Sequence, residues 1–196
     1  MLTYSEMRTL YDGALAEAGR FVKRAAIGDL GLGTPCDGWD LADLLSHMIG
    51  QNNGFAAAVA TGDAEAAAYV GPEVTAANAV GEWGASVAAL RAAFGQADAD
   101  RAVHLVEFDV DVRAADALGM QLLDTAVHAW DVAASLGGTY RPDETVTRFV
   151  LDYARKIASR PGGSPGVFAE PLAETGTDPW VDALRLLGRD PRPVGA

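Results

Sequence analysis

LLDTAVHAWDVAASLG, residues 122–137, reads as the second half of a helix made mainly of Leu, Ala, Val and Trp. Asp124 and His128 interrupt it four residues apart. Four residues is about one helical turn, so both side chains point the same way. An apolar helix that stacks a carboxylate on an imidazole has two readings. The pair can lie along a solvent-facing stripe and satisfy itself, or it can supply two ligands to one cation.

Working outward, the helix begins near Ala114 and stops at the pair Gly137-Gly138, a common helix terminator. Apolar residues at helical spacing (Met7, Leu10, Tyr11, Leu15, Ala18, Phe21, Val22) predict a first helix from Tyr4 to about Ala26. After the loop GDLGLGTPCDGW, Asp40 is a good N-cap for a helix from Leu41 to about Ala60, with Asp43 favourable in its first turn. TGDAEAAAYVGPEVT reads as a connector, and Val74–Phe94 as a third helix. VHLVEFDVDV, residues 103–112, alternates apolar and polar residues as a short half-buried strand does, with no strand partner evident. RPDETVTRFVLDYARKIASRPGG gives a fifth helix after Pro142, and WVDALRLLG a short last one. The expected fold class is mainly α: a four-helix bundle with extra C-terminal helices and at most a short β segment, in one domain spanning 1–196.

Composition narrows the function. Of 196 residues, 49% are hydrophobic and 21% charged, as in an ordinary globular domain. The formal net charge of −12 argues against nucleic acid and anionic membranes as partners, because both would repel the chain. The longest apolar run, FAAAVA, is far too short to span a bilayer. MLTYSEMRTLYDG lacks a basic segment followed by an apolar one, so no signal peptide is read, and the single cysteine, Cys36, leaves no internal disulfide. A cytoplasmic location is expected.

Only three histidines are present. His47, in LADLLSHMIGQNNG, lies near the edge of the apolar face of the second helix, where a half-buried histidine bonded to a carbonyl is the plain alternative to a ligand. His104 falls on the polar side of the strand-like segment and reads as surface. Glu107, Asp109 and Asp111 read as a solvated edge. Asp131, three residues after His128, either orients a ligand from behind or forms a surface salt bridge. Cys36 reads as a small buried residue beside Pro35 and Trp39, since no basic residue lies close in sequence to activate it. No GxSxG, P-loop, Rossmann glycine pattern or CxxC occurs.

Three stretches carry a resemblance. TPCDGWDLADLLSHMIG (34–50) resembles a TPC-x-x-W…DLL-x-H signature, LLDTAVHAWDVAASLG resembles D-x-x-x-H-x-WD-x-A-x-x-x-G, and LRLLGRDPRP (184–193) resembles a closing LLGRDP. Together, and in this order, they are similar to the actinobacterial mycothiol-dependent maleylpyruvate isomerase-like metal-binding proteins of the DinB-like superfamily. The resemblance implies a DinB-like four-helix bundle with a divalent metal, usually zinc, held by His47, Asp124 and His128. Ni, Fe or Mn would suit the same donors. It further implies mycothiol as a co-substrate, in a transferase or isomerase reaction on a small electrophile.

Gln51, one turn beyond His47, and Gln121, three residues before Asp124, are then expected to face the same cavity and orient substrate, with ordinary helix surface as the alternative for both. The resemblance also brings two departures. The isomerase proper is similar in pattern but uses Glu where this chain has Asp124, and it carries a further C-terminal domain that this chain is not expected to have. A metal-dependent hydrolase, or a non-enzymatic metal-containing module that binds a small molecule or a protein, would use the same residues. A homodimer formed through an apolar helix face belongs to that last reading.

Overall fold

The computed structural model describes residues 2–160 and 167–191. Pro161–Gly163 of the fifth-helix stretch and Arg192–Pro193 of the closing motif lie outside the described residues. The chain forms two compact units, Met1–Tyr140 and Arg141–Ala196.

The first unit holds α1 (Tyr4–Ala26), α2 (Leu41–Thr61), α3 (Ala79–Gln96) and α4 (Ala114–Ser135). Local chemistry sets their ends. Thr3 caps α1 in a reciprocal box with Glu6. Asp40 does the same for α2: its Oδ1 accepts from the Asp43 N–H at 2.9 Å, and Asp43 Oδ2 accepts from the Asp40 N–H at 3.3 Å. At the end of α4 the Gly138 N–H donates to the Ala133 carbonyl and the Gly137 N–H to that of Ala134. This closing motif needs a left-handed residue, and Gly137 supplies it at φ 68°.

The helices pack in cyclic order: α1 on α4 and α3, α2 on α3 and α4. Leu15 of α1, Leu41, Leu44, Leu45 and Ile49 of α2, Leu90 of α3 and Leu118 and Leu122 of α4 are the buried aliphatic residues at these seams. Burying each contributes roughly 1.5–3 kcal/mol. The connector between α2 and α3 includes a 3-10 turn, Ala66–Tyr69. It lies so close to α2 that a Cβ on Gly71 would run into the Ser46 backbone carbonyl.

Two expectations are corrected. The segment 103–112 is not one strand but a hairpin. β1 (Ala102–Leu105) pairs antiparallel with β2 (Val110–Arg113), with Val103 opposite Val112. The strand finds its partner in its own second half because Asp109 turns the chain at φ 49°, a conformation Asp adopts more readily than most residues. The hairpin lies against α2 and α4. The third helix starts at Ala79 rather than near Val74. The Asn78 side chain accepts from the Thr75 N–H and donates to the Glu73 carbonyl, holding that stretch in a turn.

The second unit consists of α5 (Glu144–Ala158) and α6 (Pro179–Leu186), packed on each other. Asp143 caps α5, and Asp178 caps α6 through the Trp180 and Val181 N–H groups. The mainly α bundle with further C-terminal helices and a short β segment is therefore the observed architecture.

Candidate metal centre on the α2–α4 seam

Because α2 and α4 are neighbours in the ring of helices, His47 and the Asp124–His128 pair meet across their seam. One ligand atom from each of the three residues lies within 4.8 Å of the others. His128 Nε2 stands 3.3 Å from Asp124 Oδ1, and the two imidazole centroids are 5.1 Å apart at 78°. Zinc–nitrogen and zinc–oxygen bonds of about 2.0–2.1 Å in a tetrahedron give donor–donor edges of about 3.3 Å. The Asp124–His128 edge has that length, and a His47 nitrogen lies within 4.8 Å of both of these ligand atoms.

His128 is buried, and both of its ring nitrogens face carboxylates. Its Nδ1 donates to Asp131 Oδ2 at 2.9 Å, an oxygen that can only accept when ionised. Burial opposes protonation of the ring, but the charge of Asp124 and the hydrogen bonds to Asp124 and Asp131 outweigh it. The imidazolium is favoured well above the ordinary histidine range. Asp131 is fully buried, so the surface-salt-bridge reading does not describe its position. The Trp39 ring covers His47 at 4.8 Å between centroids.

The two glutamines differ. Gln51 is buried and donates through Nε2 to Glu107 Oε2 at 2.8 Å. Gln121 is also buried, and its Oε1 accepts from the Tyr11 hydroxyl at 2.9 Å, tying α4 to α1. His104 is paired with Asp111 on the hairpin at 3.0 Å, a part-exposed surface pair as expected.

Two residues have partners that the sequence does not reveal. Glu107, read as part of a solvated edge, is exposed in the hairpin turn and also accepts from Gln51. Loss of water around its carboxyl raises its pKa, the Gln51 hydrogen bond opposes this, and the negative charge of Asp124 adds to the rise. Cys36, taken for a packing residue, is half-buried with Sγ 3.4 Å from Asp131 Oδ2. The proximity of the TPC loop to the end of α4 is a long-range feature, and no local pattern encodes it.

A helical bundle with a His/Asp/His cluster on facing helices defines a class of candidate metal-centred domains. The family model described as the mycothiol maleylpyruvate isomerase N-terminal domain matches residues 11–133, more than half of the chain, and the chain belongs to that family. Two solved structures are similar to it in fold. One is the mycothiol-dependent maleylpyruvate isomerase, with TM-score 0.64 and 18% identity. The other is a histidine-to-alanine mutant of that isomerase, with TM-score 0.65 and 19% identity. Each comparison covers 90% of this chain and 79% of the other. No curated protein matches the sequence. None of the described helices is long and apolar enough to cross a membrane.

Proposed function

We propose that this protein binds one divalent metal ion, zinc by preference, through His47, Asp124 and His128, and uses it with mycothiol in an isomerase or transferase reaction on a small electrophile. The observation that carries this reading is the convergence of three metal-ligating atoms from two facing helices within 4.8 Å, in a chain of the mycothiol maleylpyruvate isomerase family. An ion held there supplies Lewis acidity and lowers the pKa of a thiol or water in its open position.

The chain's own groups do the rest. Asp131 accepts the Nδ1 proton of His128 and so keeps Nε2 turned toward Asp124. Trp39 packs at a tilt against the His47 ring and limits its rotation. Gln51, one turn beyond His47, and Glu107 present an amide and a carboxyl that orient a polar substrate. Glu107 accepts a proton more readily than an ordinary glutamate, because partial loss of water disfavours its ionised form. Gln121 contributes by fixing α1 against α4 beneath the ligand pair.

Calorimetry with mycothiol tests the reading on zinc-loaded protein, followed by turnover assays on maleylpyruvate and other small electrophiles. Saturable mycothiol binding to the wild type, lost in His128→Ala, supports it. Zinc-dependent turnover without any thiol would replace it by a hydrolase. Zinc-loaded protein that neither binds mycothiol nor turns over any electrophile would overturn the thiol chemistry.

A further inference from the structure

His128 has two nitrogens, and the proposed centre uses only Nε2. Behind it, Nδ1 faces a different pair of groups. Cys36 Sγ lies 4.0 Å from Nδ1 and 3.4 Å from Asp131 Oδ2, and Nδ1 and Oδ2 are 2.9 Å apart. Neither Cys36 nor Asp131 belongs to the His47–Asp124–His128 set. The cluster is built rather than incidental: Asp131 is fully buried, His128 nearly so, and Cys36 is half-buried.

Zinc–sulfur bonds of about 2.3 Å and zinc–nitrogen or zinc–oxygen bonds of about 2.0–2.1 Å fix the edges of a tetrahedral site. They come to about 3.5 Å between sulfur and either lighter donor, and about 3.3 Å between nitrogen and oxygen. The observed edges lie within about half an ångström of these values, a shift that small side-chain rotations can absorb. A thiolate among the donors selects a soft ion, Zn2+ or Cd2+, over Mg2+ or Ca2+.

We propose that Cys36, His128 Nδ1 and Asp131 form a second cation position, selective for thiophilic divalent ions and joined to the first through the His128 ring. Loading it forms bonds from Sγ, Nδ1 and a carboxylate oxygen to the ion. The thiol proton and the Nδ1 proton leave to solvent, and no electron is transferred. Because the Nδ1 proton is the one that now holds His128 against Asp131, the two positions are coupled. An ion in the second replaces the hydrogen bond that orients the ring for the first.

Cadmium titration of metal-free protein, kept reduced by a phosphine rather than a thiol, tests this directly. Cys36 is the only cysteine in the chain, so ultraviolet thiolate-to-cadmium charge transfer reports this position alone. The wild type is expected to develop the band to saturation. Asp124→Ala, which breaks the first set, is expected to keep it, and Cys36→Ser to lose it while still binding cadmium. Cadmium binding by the wild type without a thiolate band would overturn the proposal. So would loss of the band in an Asp124→Ala protein whose circular dichroism is native. The wild-type titration is decisive even where a variant fails to fold, and it is independent of whether mycothiol binds.

Discussion

Both compact units bury carboxylates, and they use them in opposite ways. In the α5–α6 unit, buried Asp182 accepts from the Thr175 and Gly176 N–H groups and the Thr175 hydroxyl. Burial would raise its pKa, but these donors outweigh it and hold the carboxyl below the usual range. Asp178 is engaged by Arg141 at 2.7 Å through both oxygens and by two backbone N–H groups of α6. Backbone and arginine donors satisfy these carboxylates, and the result is structure.

On the α2–α4 seam, Asp124 and Asp131 instead face the two nitrogens of one imidazole, with a second imidazole and a thiol beside them. Side chains that can lose a proton to solvent and bind a cation surround these carboxylates. The identity of the partners, more than burial itself, separates a structural carboxylate from a candidate ligand.

Substitutions can break this contrast. The largest effect is expected from His128→Ala, which removes the residue shared by both donor sets. Stoichiometric metal should be lost in elemental analysis while the helical circular dichroism persists. Asp182→Ala should do the reverse. It removes the buried acceptor that holds the Thr175–Gly176 turn, should cost about 1 kcal/mol in denaturant unfolding, and should leave metal content unchanged. Asp131→Asn keeps the shape of the cluster but supplies a weaker acceptor to Nδ1. Metal affinity should fall about 10- to 100-fold in a competition titration with a chelator, with little change in stability.

The smallest effect is a pH dependence. Arg141 and the two N–H groups of α6 hold the Asp178 carboxyl down at about 2, below its usual 3.8. A depressed carboxylate stabilises the fold above the unfolded pKa, so this contribution is present above about pH 4 and is lost as pH falls toward about 2. The pair is partly exposed and the gain is small. Asp178→Asn should flatten the acid limb of an unfolding curve followed by circular dichroism over that window.

Much of the bundle was legible because helices announce themselves twice, by apolar spacing and by caps. Leu41–Thr61 begins at Asp40 and α4 stops at Gly137, as such signals require, while Tyr4–Ala26 was marked by its apolar spacing. The hairpin was not legible, because its turn carries no Gly or Asn. VHLVEFDVDV alternates straight through, and only the backbone at Asp109 shows the reversal. Nor does any composition shift mark the boundary near Tyr140.

At the site, the i, i+4 spacing exposed Asp124 and His128 from the sequence, and the convergence of His47 on them needed the motif resemblance. The contacts of Cys36 and Glu107 were missed because their partners lie far away in sequence, Asp131 and Gln51 respectively. Gln121 shares the spacing of a cavity residue, yet Tyr11 of α1 engages its amide oxygen, a contact that spacing within one helix does not reveal.

Elemental analysis of protein purified without a histidine tag, with and without His47→Ala, decides whether the α2–α4 seam is a metal centre. With Cys36→Ser added to both proteins to disable the second cation position, about one equivalent of a divalent metal is expected where His47 is present and its loss in His47→Ala, whose remaining donors cannot complete a three-ligand set. A wild type that holds no metal, even after zinc is added back, would contradict it.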